Sequence, residues 1–231
     1  MISNMPNGGL ILTVDGPSGT GKSTTCRALA KRLDAKYVDT GAMYRVATLA
    51  VLRAGVDPYN TQAVIDATAD IPLEVSDDPD STQVLLAGED VSRIIREDEV
   101  TQNVSAVSAI PEVRKNLVAL QRRLASQAGR AIVEGRDIGT VVLDDAPAKV
   151  FMTAAPEVRA RRRYDQNLAA GMDVEYDAVL ADVIRRDEAD SSRGTSPTQP
   201  AADAVIVDTS DLDLEQVLDK LTDIVKESSH G

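Results

Sequence analysis

"VDGPSGTGKST", residues 14–24, takes over from an apolar run ("LILTV", 10–14) and passes through a glycine-rich turn to a lysine and two hydroxyl side chains. A short run of four apolar residues and one threonine is the pattern of a strand covered on both faces of a parallel sheet. Beyond the turn, Cys26, Leu29, Ala30 and Leu33 recur at helical spacing, so the turn joins a strand to an amphipathic helix. Gly16, Pro17, Ser18, Gly19, Thr20, Gly21, Lys22, Ser23 and Thr24 thus fit G-x-x-x-x-G-K-[ST] in the context that gives it meaning. Glycine lets consecutive backbone N–H groups close on an anion, and the helix N-terminus adds partial positive charge. Lys22 suits β- and γ-phosphates and Ser23 a Mg²⁺ ion, so the anion is read as a nucleoside triphosphate.

Working outward, "AKYVDTG" reads as a second strand ending at Asp39, followed by a helix over about 42–54 that stops at Gly55. Between residues 71 and 91 the texture changes: Ile71, Leu73 and Val75 alternate, "SDDPDS" turns, and "QVLLAGEDV" returns. That predicts a small antiparallel meander inserted among helices. "IPEVRKNLVALQRRLASQAG" is a helix with Pro111 in its first turn, a stripe at Val113, Leu117, Leu120 and Leu124, and Gly129 at its end. "RAIVEG" (130–135), "AKVFMTA" (148–154) and "DAVIVDTS" (203–210) complete five strand candidates. A last helix over about 213–227 is expected to bury Leu214, Val217, Leu218, Leu221, Ile224 and Val225. Strands alternating with helices imply an α/β fold with a parallel sheet.

The 231 residues suit one domain carrying small lobes, and a formal charge of −12 argues against nucleic acid as a partner. Arginines that cluster in so acidic a chain point to a local anion. The single cysteine, Cys26, reads as core in a reducing compartment, and the single histidine, His230, lies in the C-terminal tail. "MISNMPNGG" does not read as a signal peptide and no run suits a membrane span, so no membrane partner and a cytoplasmic monomer are expected.

"DGPSGTGKST", "DTGAMYR", "GEDVS", "EGRDIGTVV" and "RRDEADSSR" occur in that order, and together they resemble the bacterial cytidylate kinases from about residue 11 to 225. The resemblance implies a P-loop kinase fold: a five-stranded parallel sheet flanked by helices, an acceptor-binding lobe and a short lid. Its parts here are a core at about 10–59, 111–158 and 174–231, a lobe at 60–110 holding the small antiparallel sheet, and a lid at 159–173. It further implies the reaction of ATP with CMP or dCMP, with Mg²⁺. The residues agree with such chemistry, because two polyanions brought together need alignment and charge neutralisation. Arginine forks match phosphate oxygens.

By resemblance, Arg45, Arg136 and Arg193 are expected to hold the acceptor phosphate, and Arg162, with its neighbour Arg163, to close over the transferring group. Thr40, Arg186 and Asp190 are expected at the acceptor's sugar, with threonine where many relatives carry serine. Ser105, Arg114 and Asp137 are expected at its base. Cytosine offers a donor at N4 and acceptors at N3 and O2, so a carboxylate beside a guanidinium accepts it and mismatches uracil. From the residues alone, Arg159 and Arg161 read as a solvated basic face, and Arg114 or Asp137 could each be a surface charge. Glu134 and Asp15 are candidates to orient metal-bound water, and Asp39 reads as shaping the pocket. The loop after Val207 and the lid arginines are expected near adenine. A same-fold kinase acting on UMP, AMP or shikimate is the nearest alternative; a GTPase would need N-K-x-D, which does not occur. Replacing the cradle's cation, Lys22→Ala, is expected to slow phosphoryl transfer about 10²–10³-fold, measured as steady-state kcat with ATP and CMP.

Overall fold

The structure, a computed structural model, describes residues 9–228 other than 193 and 195, so Arg193 and His230 lie outside the described residues. The apolar run becomes strand β1 (Leu10–Asp15), and the lysine opens helix α1 (Lys22–Arg32). In chain order there follow β2 (Lys36–Asp39), α2 (Thr40–Arg53), α3 (Thr61–Thr68), β3 (Leu73–Val75), β4 (Val84–Leu86) and β5 (Glu89–Asp90). Next come α4 (Asp98–Ser108), α5 (Pro111–Ala128), β6 (Arg130–Glu134), β7 (Ala148–Thr153) and α6 (Pro156–Ala169). The last three are α7 (Tyr176–Ser191), β8 (Val205–Asp208) and α8 (Leu214–Ser228).

The large sheet runs β2-β6-β1-β7-β8 with every pairing parallel. β1 is its centre, flanked by β6 (Leu12 opposite Ile132) and β7 (Val14 opposite Val150). Alternation along each strand sends side chains to two cores. Leu10, Leu12, Val14 and Ile132 pack with Cys26, Leu29, Leu218 and Leu221 under α1 and α8. Val38, Ala131 and Val133 pack on the other face with Met43, Val113 and Leu117 from α2 and α5. Cys26 is buried in the core under α1 and α8, as expected. Leu214 is the exception, 40 % exposed instead of buried, because it is the first residue of α8 and the apolar stripe runs out at that end.

The expected meander is the antiparallel sheet β3-β4-β5. Val84, Leu86, Val91 and Ile95 pack it on Ala42, Val46 and Leu49 of α2. Its β3–β4 connection lies against the core: Asp77 O accepts from the Tyr37 amide at 2.9 Å, Lys36 pairs with Asp77 at 3.0 Å, and Arg27 bonds Ser81 O while stacking 4.4 Å from the Tyr37 ring.

Most of the residues expected as a lid form α6, which pairs with α7 in a helical hairpin. The hairpin has its own small core of Ala160, Val179 and Val183. Tyr164 and Tyr176 meet edge to face at 5.9 Å, and Arg161 covers the Tyr176 ring at 4.5 Å.

Gly16 sits at the junction of β1 and the turn with φ +144°, and a β-carbon there would fall 2.0 Å from Met152 O on β7. No side chain fits without separating the two strands. Gly16→Ala is expected to destabilise the fold by about 3 kcal/mol, a drop of roughly 10 °C in calorimetric Tm.

Candidate active site

The turn between β1 and α1 is held open by its own carbonyls. Lys22 Nζ donates to Gly16 O at 2.8 Å and to Pro17 O at 2.7 Å, and Thr20 Oγ1 donates to Pro17 O at 3.2 Å. From outside, Arg159 Nη1 reaches Ser18 O at 3.2 Å and Thr209 Oγ1 reaches Thr20 O at 3.0 Å. With those carbonyls engaged, the first amides of α1, which have no intrahelical partner, remain for an anion. Gly21 caps that helix in the left-handed region at φ 92°, a conformation glycine adopts without strain. Lys22 itself is buried. Burial, and then Arg136, push its pKa down to about 8, so phosphate binding and full protonation of the ammonium reinforce each other.

Arginines from five parts of the chain converge beside this cradle. Arg136, at the end of β6, donates from Nη1 to Gly16 O at 2.9 Å and pairs through Nε with Asp190 of α7 at 2.8 Å. Arg45 of α2 is steadied by Ile95 O at 2.9 Å and Thr101 Oγ1 at 2.8 Å. Burial pushes Arg45 down to about 10, and the charges of Arg186, Arg96 and Arg163 push the same way. Arg186 is lowered too, by burial first and then by Arg136, with Asp190 opposing. These cations feel one another, and Arg136 is felt by Lys22. Such a cluster is repulsive until a multiply charged anion enters it.

A second charged pair lies deeper. Arg114 Nη2 bonds the Asp137 carboxylate, Arg114 Nη1 donates to Ser108 O at 3.3 Å, and the guanidinium stands 5.2 Å from the Tyr44 ring. Both are buried, Arg114 6 % and Asp137 3 % exposed, so neither is the surface charge that composition allowed. Ser105 lies one turn earlier, its carbonyl taking the Ser108 hydroxyl at 3.3 Å.

A matching model of the family described as cytidylate kinase covers residues 12–227. Proteins named cytidylate kinase match at 69 % identity in Corynebacterium glutamicum and 64 % in Corynebacterium efficiens, each over 97 % of this chain and 98 % of the relative. One from Rhodococcus opacus matches at 57 % over the same shares. The chain belongs to the cytidylate kinase family. The fold alone is shared with a gluconokinase from Sinorhizobium meliloti, 14 % identical over 96 % of this chain and 94 % of that one, with TM-score 0.51.

Within this cytidylate kinase fold, Arg45 and Arg136, read for the acceptor phosphate, lie near Arg186 and Asp190, read for its sugar, and Arg114 joins Asp137. Other residues sit differently. Arg162 bonds Thr209 O at 2.7 Å and Thr20 O at 3.4 Å, which places it between the cradle and the loop after β8; its neighbour Arg163 is the one felt by Arg45 and Arg186. Arg159 is no part of a solvated face: it is 3 % exposed, bonds Ala154 O at 2.8 Å and pairs with Asp187 of α7. Burial is possible because α7 brings that carboxylate to it. Arg161 is exposed, as expected, over its tyrosines. The Thr40 hydroxyl donates to Glu134 O at 2.7 Å, leaving its oxygen as an acceptor. Asp39 caps α2 through Ala42 N at 2.9 Å.

Glu134 takes the Ser23 hydroxyl at 2.8 Å on one oxygen and the Tyr37 phenol at 2.5 Å on the other, and burial raises its pKa. Asp15 does not share this position, because the Ile138 and Gly139 amides occupy both its oxygens. Arg96, Thr209 and Asp187 are members not singled out from the sequence, although Asp187 lies within "RRDEADSSR" and Thr209 in the loop after Val207. Asp137→Ala leaves Arg114 buried and unpaired, and urea unfolding is expected to show a loss of about 3 kcal/mol or more.

Proposed function

We propose that the chain transfers the γ-phosphoryl group of ATP to CMP or dCMP, giving ADP and CDP or dCDP. The observation that carries this reading is the gathering of Arg45, Arg136 and Arg186 near Lys22, each close enough to act on another's charge, together with the buried Arg114–Asp137 pair. ATP would sit with its β- and γ-phosphates on the amides of residues 18–24 and on Lys22. The acceptor phosphate would lie among Arg45, Arg136 and the resemblance-derived Arg193. Arg186 and Asp190, with the Thr40 oxygen, would face the sugar. Arg114, Asp137 and Ser105 would face the base, guanidinium to N3 and O2, carboxylate to N4.

Little covalent chemistry is asked of the protein, because the attacking atom is already a phosphate oxygen. The side chains align two anions and neutralise charge as it moves between them. The hydroxyl of Ser23 beside the Glu134 carboxylate is an all-oxygen donor set of the kind Mg²⁺ takes, with substrate phosphates and water completing it. No group of three or more His, Cys, Asp or Glu placed to hold a metal exists among the described residues, which suits an ion that arrives with its nucleotide. When bound, that ion supplies neutralisation of the donor phosphates. Arg162 and Arg163 on the hairpin would shield the transferring group, with Arg162 also near the adenine side through Thr209.

No described helix is long and apolar enough to cross a membrane, and the working unit proposed is a monomer. The test is an acceptor panel of CMP, dCMP, UMP and AMP with ATP and Mg²⁺, scored by ADP release. A clear preference for CMP and dCMP is expected; faster turnover of UMP or AMP would overturn the assignment. In the same panel Asp137→Ala is expected to narrow the CMP-to-UMP ratio of kcat/KM at least about tenfold, and equal loss with both would remove its role at the base.

A further inference from the structure

The turn that carries Arg136 and Asp137 is fastened to the strand that opens the phosphate cradle. Gly135 N donates to Val14 O at 3.1 Å, which continues the β1–β6 ladder by one bond. Arg136 Nη1 then bonds Gly16 O at 2.9 Å. Past that point the chain leaves regular structure: Asp137 sits at φ −144°, ψ 27°, and residues 138–142 form a single π-helical turn. The Asp15 carboxylate grips that turn, accepting from Ile138 N at 2.8 Å on one oxygen and from Gly139 N at 2.7 Å on the other. Packing there is close. A β-carbon on Gly139 would stand 2.9 Å from Thr13 Oγ1 and 3.4 Å from Asp15 Oδ2.

We infer that Asp15 is a positioning residue for acceptor choice: its two amide bonds hold Asp137, and through it the Arg114–Asp137 pair, in register with the phosphate cradle. The inference rests on the cytidylate reading of that pair. A carboxylate is the side chain the geometry asks for, since both of its oxygens accept and two converging N–H groups must be met. Asparagine would turn an NH₂ group toward one of them. The charge is kept in an unfavourable place. Burial raises the pKa of Asp15, the two amides oppose it, Asp137 adds to the rise and Lys22 opposes it, and the net result is about 6. The hydrogen bonds of the Asp15 carboxylate go to the Ile138 and Gly139 amides, so its positioning effect on the reaction passes through the turn.

The experiment compares wild type with Asp15→Asn. Calorimetric titration with ATP alone is expected to show affinity within about threefold of wild type. Meanwhile kcat/KM for CMP falls, mostly through KM, and the CMP-to-UMP ratio drops about tenfold or more. An unchanged ratio overturns the inference, and so does an equal loss of ATP affinity and of both acceptors, which would mark a merely structural residue. Should the variant not fold, wild-type NMR decides: the Ile138 and Gly139 amide protons are expected to move with the same pH midpoint as the Asp15 carboxyl carbon. Amides that ignore that titration overturn it. A wild-type enzyme without preference for CMP would instead sink the functional reading, and the two failures are told apart before any variant is made.

Discussion

Repulsion among like charges is the constraint around which this molecule is arranged. Arg45, Arg96, Arg136, Arg163 and Arg186 bear on one another from α2, the turn before α4, the end of β6, and both helices of the hairpin, and Lys22 stands next to Arg136. Gathering them consumes free energy that the two apolar cores must supply. Carboxylates relieve only part of it: Asp190 for Arg136, Asp39 for Arg96 at 3.6 Å. The remainder is a standing preference for polyanions, which explains how a chain of charge −12 can still attract two nucleotides.

Order in the site grades from fixed to adjustable. β1 lies at the centre of the sheet, and the cradle hangs from its end with several carbonyls pinned. The β3–β4 connection is tied down against the core by the contacts of Arg27, Lys36 and Tyr37. The hairpin is different: it is internally packed by Tyr164, Tyr176, Val179 and Val183, and it reaches the cradle largely through two guanidinium groups, Arg159 and Arg162. A body that is stiff within and attached at polar points can shift as a unit.

What could be read from the sequence was whatever a short window encodes. The buried strands announced themselves as short apolar runs, the meander by alternation and turn residues, and the cradle by glycine spacing before an amphipathic helix. Burial of charge was not legible. Arg159 sits among Arg161, Arg162 and Arg163, and nothing local distinguishes the one that meets Asp187, 28 residues away, from the one that covers tyrosine rings. Arg114 and Asp137 are likewise joined only by the fold. Leu214 erred the opposite way, because helical periodicity says which face a residue lies on and not where the partner surface ends.

The two borders of the large sheet are treated unequally. At the β2 side the Tyr37 amide is capped by Asp77 O, so the acidic connection between β3 and β4 doubles as a bumper against strand addition. β8 forms the opposite border, with Ile206 61 % exposed beside Val205. An uncovered apolar strand is a template for another chain. Crowding or partial unfolding would therefore let copies adhere along a single seam, and Ile206→Lys would blunt it, three residues short of the Thr209 contact with the cradle.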